Sequence, residues 1–210
     1  MKVLNLYACI GGNRKLWTDC EVTAVEINHE LAEMYQRRYP NDIVIVGDAH
    51  EYLLKYYDKF DFIWSSPPCP THSRARFWSS KGNEKVDVMY PDMTLYQEII
   101  LLQNYYQGLW VVENVDPFYE PLITPTAKIG RHLFWSNFRI PAFDFKEADV
   151  IGGKIADWQE VHGFDISDYK GGGRKDQILR NLVHPETGLF IYNRAMGIEI
   201  ERNIKQPQLF

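Results

Sequence analysis

FDFIWSSPPCPTHSRAR, residues 60–76, runs from a strand-forming stretch through a rigid corner into a polar, basic segment. Phe60 to Trp64 are rich in the aromatic and β-branched side chains that fit a buried strand. Pro67 and Pro68 then fix the backbone and remove two donors, so Cys69 leaves the strand in a defined direction. A thiol at such a corner is either a packed loop cysteine or an attacking group. The flanking sequence weighs one against the other.

Upstream, VLNLYA (3–8) reads as a buried strand and is followed by a turn at Gly11 and Gly12. EVTAVE (21–26) alternates as a second strand. Asn28 is placed to cap a helix reaching Tyr39, with Leu31, Met34, Tyr35 and Arg38 at three and four spacing and Pro40 as its stop. A strand at 43–46, a helix at 49–57, a helix at 92–106 and a strand at 109–113 continue the series. Strands alternating with helices predict an α/β, Rossmann-like fold with a mostly parallel sheet. Ligands in such sheets bind beyond the carboxyl ends of the strands. Those ends carry Tyr7 to Gly12, Glu26, Asp48, Pro67 to Cys69, and Glu113 with Asn114, so the polar and reactive outliers converge on one edge. After Arg131 the pattern thins. HLFWSNFRI (132–140) forms one or two strands, and residues 141–180 read as a small irregular insertion.

The chain has 210 residues and a formal charge of −5, enough for a buried core and too acidic for a broadly nucleic-acid-coating surface. Three cysteines without CxxC spacing and no leader pattern point to a reduced, cytoplasmic compartment. No apolar run has membrane-spanning length, and no histidine pairs with a cysteine at zinc-ligand spacing, so neither membrane nor metal is expected.

The glycine turn LYACIGG lacks the GxGxxG spacing of a dinucleotide site. Glu26 is placed to accept hydrogen bonds from a ribose diol and Asp48 from an adenine amine. Two acids, a glycine turn and no phosphate-binding lysine loop favour S-adenosylmethionine over ATP. Cys69 is useful as a nucleophile only as thiolate, and His72, Arg74 and Arg76 are candidates to favour that form. Glu113 ends an apolar strand, where a carboxyl group resists ionisation and can act as an acid catalyst.

In order along the chain, LYACIGG, AVEINHELAEMY, VGDAHEY, DFIWSSPPCPTHS, WVVENV and GRHLF resemble the motifs of DNA cytosine-5 methyltransferases over residues 3–139. RNLVHPETGLFIYNRAMGIE resembles the family's late helix-and-turn motif. The resemblance implies that Cys69 attacks cytosine C6, that Glu113 contacts N3 and the exocyclic amine with Asn114 shaping its loop, and that Arg131 supports a flipped base. For the cofactor it implies Tyr7 against the adenine, Ala8, Cys9, Gly11 and Gly12 in the loop, Glu26 and Ile27 at the ribose, Asp48 and Ala49 at the adenine, and Pro68 beside them. Ser73, Arg74 and Arg76 would lie in the substrate loop, against an opened DNA backbone.

The implied activity is S-adenosylmethionine-dependent methylation of cytosine C5 in double-stranded DNA, with S-adenosylhomocysteine as product. It implies a bacterial or phage-encoded enzyme, solitary or in restriction–modification. The implied organisation is a catalytic core at 1–140, a reduced target-recognition insertion at 141–180, and a segment at 181–210 returning to the core. Against the family pattern, Cys9 replaces a glycine, PCP replaces PCQ and Ile129 stands where a second arginine is usual. The short insertion predicts relaxed or short sequence specificity. The final GN-rich motif is not recognisable, which predicts a protein partner supplying that wall of the cofactor site. The competing readings are an RNA C5 or amino methyltransferase on the same fold, or a non-catalytic DNA-binding subunit.

Overall fold

The computed structural model describes residues 1–82, 87–142, 154–171 and 174–198. Seven strands form one sheet: β1 (Lys2–Leu6), β2 (Glu21–Glu26), β3 (Ile43–Val46), β4 (Phe62–Ser65), β5 (Leu109–Val115), β6 (Ala127–Ile129) and β7 (His132–Ser136). Their order is β3-β2-β1-β4-β5-β7-β6. The first five strands pair in parallel, and β7 runs antiparallel to both β5 and β6. The order reverses between β1 and β4, which sets the topological switch point at their carboxyl ends. The sheet is the mostly parallel one that the alternating pattern predicts.

Period-two alternation divides the core. Leu4, Leu6, Ile63, Val112, Leu133 and Trp135 pack with Leu53 of α2 (Ala49–Tyr56) and Ile99 and Leu102 of α4 (Thr94–Tyr105). On the opposite face Val3, Phe62, Trp64, Val111 and Phe134 meet Phe190 and Ile191 of α7 (Pro185–Ala195). The helix α1 (His29–Arg38) begins as its sequence predicts, with the Asn28 side chain accepting from the N–H groups of Glu30 and Leu31.

Three elements differ from the sequence expectation. The first strand ends at Leu6 rather than residue 8, because Tyr7 turns to a φ of 56° and breaks the pleat. Residues 74–82, RARFWSSKG, form α3, whose polar sequence carries no apolar periodicity. Within 141–180, whose residues 143–153 and 172–173 lie outside those described, α5 (Ile155–His162) and α6 (Lys175–Arg180) are short helices in otherwise irregular chain. Among the described residues no helix is long and apolar enough to cross a membrane, and no group of three acidic, histidine or cysteine side chains is arranged to hold a metal.

Candidate active site

A cleft of about 330 Å³ opens at the switch point. Its floor is built from strand ends. Tyr7 and Cys9 follow β1, Glu26 and Ile27 end β2, Pro67 to Cys69 follow β4, and Glu113 and Asn114 lie in β5. These are the residues that the strand-end rule predicts to converge, and they line one space.

The corner at Cys69 is held by specific bonds. Asn114 Nδ2 donates to the Pro67 carbonyl at 2.9 Å, and its Oδ1 accepts from the Val115 N–H. This buried amide therefore staples the proline loop to β5. The Cys69 carbonyl accepts from the N–H groups of His72 and Ser73, closing the turn that leads into α3. The Cys69 thiol is pushed up to about 11, first by burial and then by the neighbouring Glu113 carboxylate, while the Arg131 guanidinium pulls it down.

That corrects the expectation for the basic loop. Arg74 donates to the Pro117 carbonyl and pairs with Asp116 at 3.1 Å, Arg76 reaches the Asp87 carbonyl and the Met89 sulfur, and His72 Nδ1 meets the Tyr119 hydroxyl. The cation that favours the Cys69 thiolate is Arg131, while these three side chains are engaged with residues 87–89 and 116–119. Ser73 itself bridges to Pro117.

Glu113 is 5% exposed and its Oε1 lies 2.6 Å from Nδ1 of the equally buried His132. His132 enters through the antiparallel pairing that sets it opposite Val115. Arg131 donates from Nη2 to the Arg180 carbonyl, so it ties α6 to the site.

The other pole of the cleft is organised by backbone turns closing on carboxylates. Glu26 Oε2 accepts from the Cys9 N–H and Oε1 from the Asn28 N–H, both at 2.8 Å. Burial pushes the Glu26 carboxyl up, and these N–H groups oppose it. With the Ile27 N–H also acting on it, the carboxylate still keeps acceptor capacity for a ligand hydroxyl. Beside it Ile27 is 70% exposed, an apolar side chain standing in a cleft. Cys9 sits at a φ of 48°, and burial followed by the Glu26 charge pushes its thiol up to about 12. Behind the loop, Asn5 and Asn13 exchange buried amide bonds, and Tyr7 Oη donates to Glu98 at 2.6 Å.

The remaining expected residues are not part of this lining: Asp48 is exposed beyond it, and the others face protein. Asp48 caps α2 by accepting from the Glu51 N–H at 3.0 Å, and Ala49 is buried in the first turn. Ala8 is buried. A Cβ at Gly11, whose φ is 79°, would meet Tyr39 at 2.4 Å, and one at Gly12 would meet the Val183 carbonyl at 2.8 Å. The close approach at these glycines is to protein on those sides.

His132 and Glu98 are absent from the sequence reading. Glu98 is fully buried in α4 and also accepts from Ser65 and contacts His50 Nδ1 at 3.1 Å. Its signal is a carboxylate inside the apolar stripe of Leu95, Ile99 and Leu102. His132 has no local signal, since its place depends on the β5–β7 register.

A doubly covered, mostly parallel sheet with its cleft at the switch point is a Rossmann-like fold. Residues 1–121 match the model of the C-5 cytosine-specific DNA methylases, and the chain belongs to that family. That family is one of S-adenosylmethionine-dependent methyltransferases. Solved structures similar to the chain include the Entamoeba histolytica methyltransferase EhMeth, at 16% identity and a TM-score of 0.39 over 58% of this chain and 40% of that one. A Spodoptera frugiperda DNMT2 mutant gives 25% identity and 0.38 over 56% and 36%. The Escherichia coli protein yhhF gives 15% and 0.41 over 64% and 73%. The matches to the first two span well under half of those proteins. No curated protein matches the chain.

Proposed function

We propose that the chain methylates cytosine at C5 in double-stranded DNA through a transient Cys69 adduct on a flipped base. The observation that carries this reading is the adjacency of the Cys69 sulfur and the buried Glu113 carboxylate in the cleft that also holds Glu26. A binding protein has no use for that pair.

Cytosine C5 is a poor nucleophile while the ring is aromatic. Bonding Cys69 Sγ to C6 as N3 gains a proton turns the ring into an enamine, which is covalent catalysis. The thiol is protonated near neutral pH, so forming the adduct moves one proton from sulfur to N3. Glu113, beside the sulfur, would carry it. His132 holds Oε1, which leaves Oε2 to face the base edge. Arg131 favours the developing thiolate. Once C5 carries the methyl group, the C5 proton passes to water and the C6–S bond breaks by elimination. The N3 proton returns through Glu113 to the departing Cys69 sulfur.

The residues present fit an adenosyl ligand. Glu26 supplies acceptors for a ribose diol, exposed Ile27 supplies an apolar platform, and Pro68 and Tyr7 close the sides. Bound there, S-adenosylmethionine supplies the methyl group. Asp48, exposed at the end of β3, caps α2 through one oxygen and would keep the other for an adenine amine. Arg74, Ser73 and Arg76 would meet the opened strand from the rim. The small insertion supports relaxed or short specificity, which base-resolution methylation mapping would contradict by showing a long strict site.

Duplex DNA carrying 5-fluorocytosine tests the reaction. With S-adenosylmethionine it should form a denaturation-resistant adduct on the wild-type chain and none on Cys69→Ser. An adduct with RNA alone would overturn the substrate. Absence of adduct and of methyl transfer on both would leave the non-catalytic reading.

A further inference from the structure

Over the floor of the cleft lies one face of α6. Arg174, Gln177, Ile178 and Asn181 all line the space, and their spacing of three, four and seven places them on a single helix face. On another side of the same turn Leu179 is fully buried with Ile10, Met34, Phe164, Ile166 and Leu182. The helix is thus amphipathic in an uncommon sense: one side is core, and the other looks into the cleft.

The segment that leads into it is docked by several bonds. Lys15 Nζ donates to the carbonyls of His162 and Gly163, at 2.9 and 2.8 Å, and so occupies the end of α5. The Arg38 guanidinium lies 4.4 Å over the Phe164 ring, and the Lys170 N–H donates to Glu30. These bonds tie the segment to α1 and to the loop after β1, the elements that frame Glu26. Ile178 packs on the cluster that also takes in Cys9 and Leu31, while Arg131 bonds to the Arg180 carbonyl beside the Cys69 pole. The helix therefore crosses the cleft from the Glu26 end to the Cys69 end.

We infer that α6 is the closing wall of the adenosyl site, with Gln177, Ile178 and Asn181 as binding residues, and that this chain holds the donor without a partner subunit. The inference rests on the methyltransferase reading above. Ile178 covers the apolar side of the ligand opposite Ile27. The exposed amides of Gln177 and Asn181, which can each donate and accept, reach its polar groups. The expectation of a partner that completes the site is replaced by residues of the chain itself.

Titration calorimetry of the purified 210-residue chain with S-adenosylhomocysteine tests this. Wild type should bind alone. The Gln177→Ala, Asn181→Ala double variant should bind roughly tenfold more weakly, two lost polar contacts being sufficient for that, with an unchanged melting temperature in the absence of ligand because both side chains are on the surface. Ile178→Ala should weaken binding in the same direction. If both variants bind like wild type while Glu26→Ala loses the ligand, the wall is elsewhere and the methyltransferase reading survives. If wild type does not bind until another protein is added, self-sufficiency is overturned. If it binds under no condition, both readings fall.

Discussion

The floor and the roof of the cleft are built on different principles. Four strand ends form the floor, and short bonds between distant segments fix it: Asn114 to Pro67, Glu113 to His132, Cys9 to Glu26, Tyr7 to Glu98. The roof is a six-residue helix carried by a small cluster around Leu179 and Phe164. A floor of this kind places reacting atoms. A roof of this kind encloses them.

The largest separation between the two should appear in turnover. Cys69→Ala should abolish methyl transfer to cytosine, and Glu113→Gln should lower it by about 10²–10⁴-fold, the usual range for a general acid–base group. Both should retain S-adenosylhomocysteine affinity within a few-fold. The roof variants should show the converse, weaker cofactor binding with a turnover at saturation that stays near wild type. A Cys69→Ala chain that still methylates would break the division outright.

Asn114→Ala sharpens it within the floor. The Pro67 carbonyl would lose its donor in a buried site, at a cost of about 1–3 kcal/mol. Thermal unfolding should shift down accordingly, and turnover should fall further than stability because the Cys69 corner loses its anchor. Arg74→Ala is the control for stability alone. Its side chain is largely exposed and its ion pair with Asp116 is worth about 0–1 kcal/mol. Equal effects of the two substitutions on stability would show that the corner is rigid without the amide.

Acid should act on the roof first. His162 ends α5, is buried beside Trp158, and is pushed down to about 4 by burial and then by the neighbouring charges of His184, Arg131, His132 and Lys15. A depressed histidine binds fewer protons folded than unfolded, so its stabilising contribution is complete above about pH 6.5 and is lost as pH falls toward 4. The change amounts to at most about 3 kcal/mol. Cofactor affinity should weaken over that window, and His162→Phe should flatten the dependence. A wild-type profile that does not change between these values would mean that the roof does not sense this group.

What the sequence makes legible follows the same boundary. Floor residues sit where a local pattern ends: Glu26 closes EVTAVE, Cys69 follows two prolines, Glu113 ends an apolar run. Strand periodicity and the switch-point rule suffice to gather them. His132 reaches Glu113 only through an antiparallel register, a pairing 19 residues apart that no local pattern encodes. The roof is harder still. KDQILR is too short for its periodicity to stand out, and the partners that bury Leu179 come from residues 10, 34 and 164. Reduced to its pattern, the stretch is irregular; docked, it is a wall.

The smallest expected effect concerns the other cysteine of the floor. Cys9 holds a left-handed backbone at a φ of 48°, which costs a non-glycine residue about 1 kcal/mol. Glycine adopts it freely but gives up more entropy on folding, so Cys9→Gly should change stability near pH 8 by less than about 1 kcal/mol. Its thiol is pushed up to about 12, so no charge is lost near neutrality and the 2.8 Å bond from its N–H to Glu26 is retained. The contrast emerges with alkali. A thiol whose folded value lies above its ordinary one near 9 stabilises the fold below that pH, and the contribution is lost as pH rises toward 12. Wild type should therefore lose more melting temperature than Cys9→Gly between pH 8 and the alkaline limit. Parallel losses in the two chains would mean that the Cys9 thiol ionises as freely folded as unfolded, and that burial beside Glu26 does not distinguish it from an exposed cysteine.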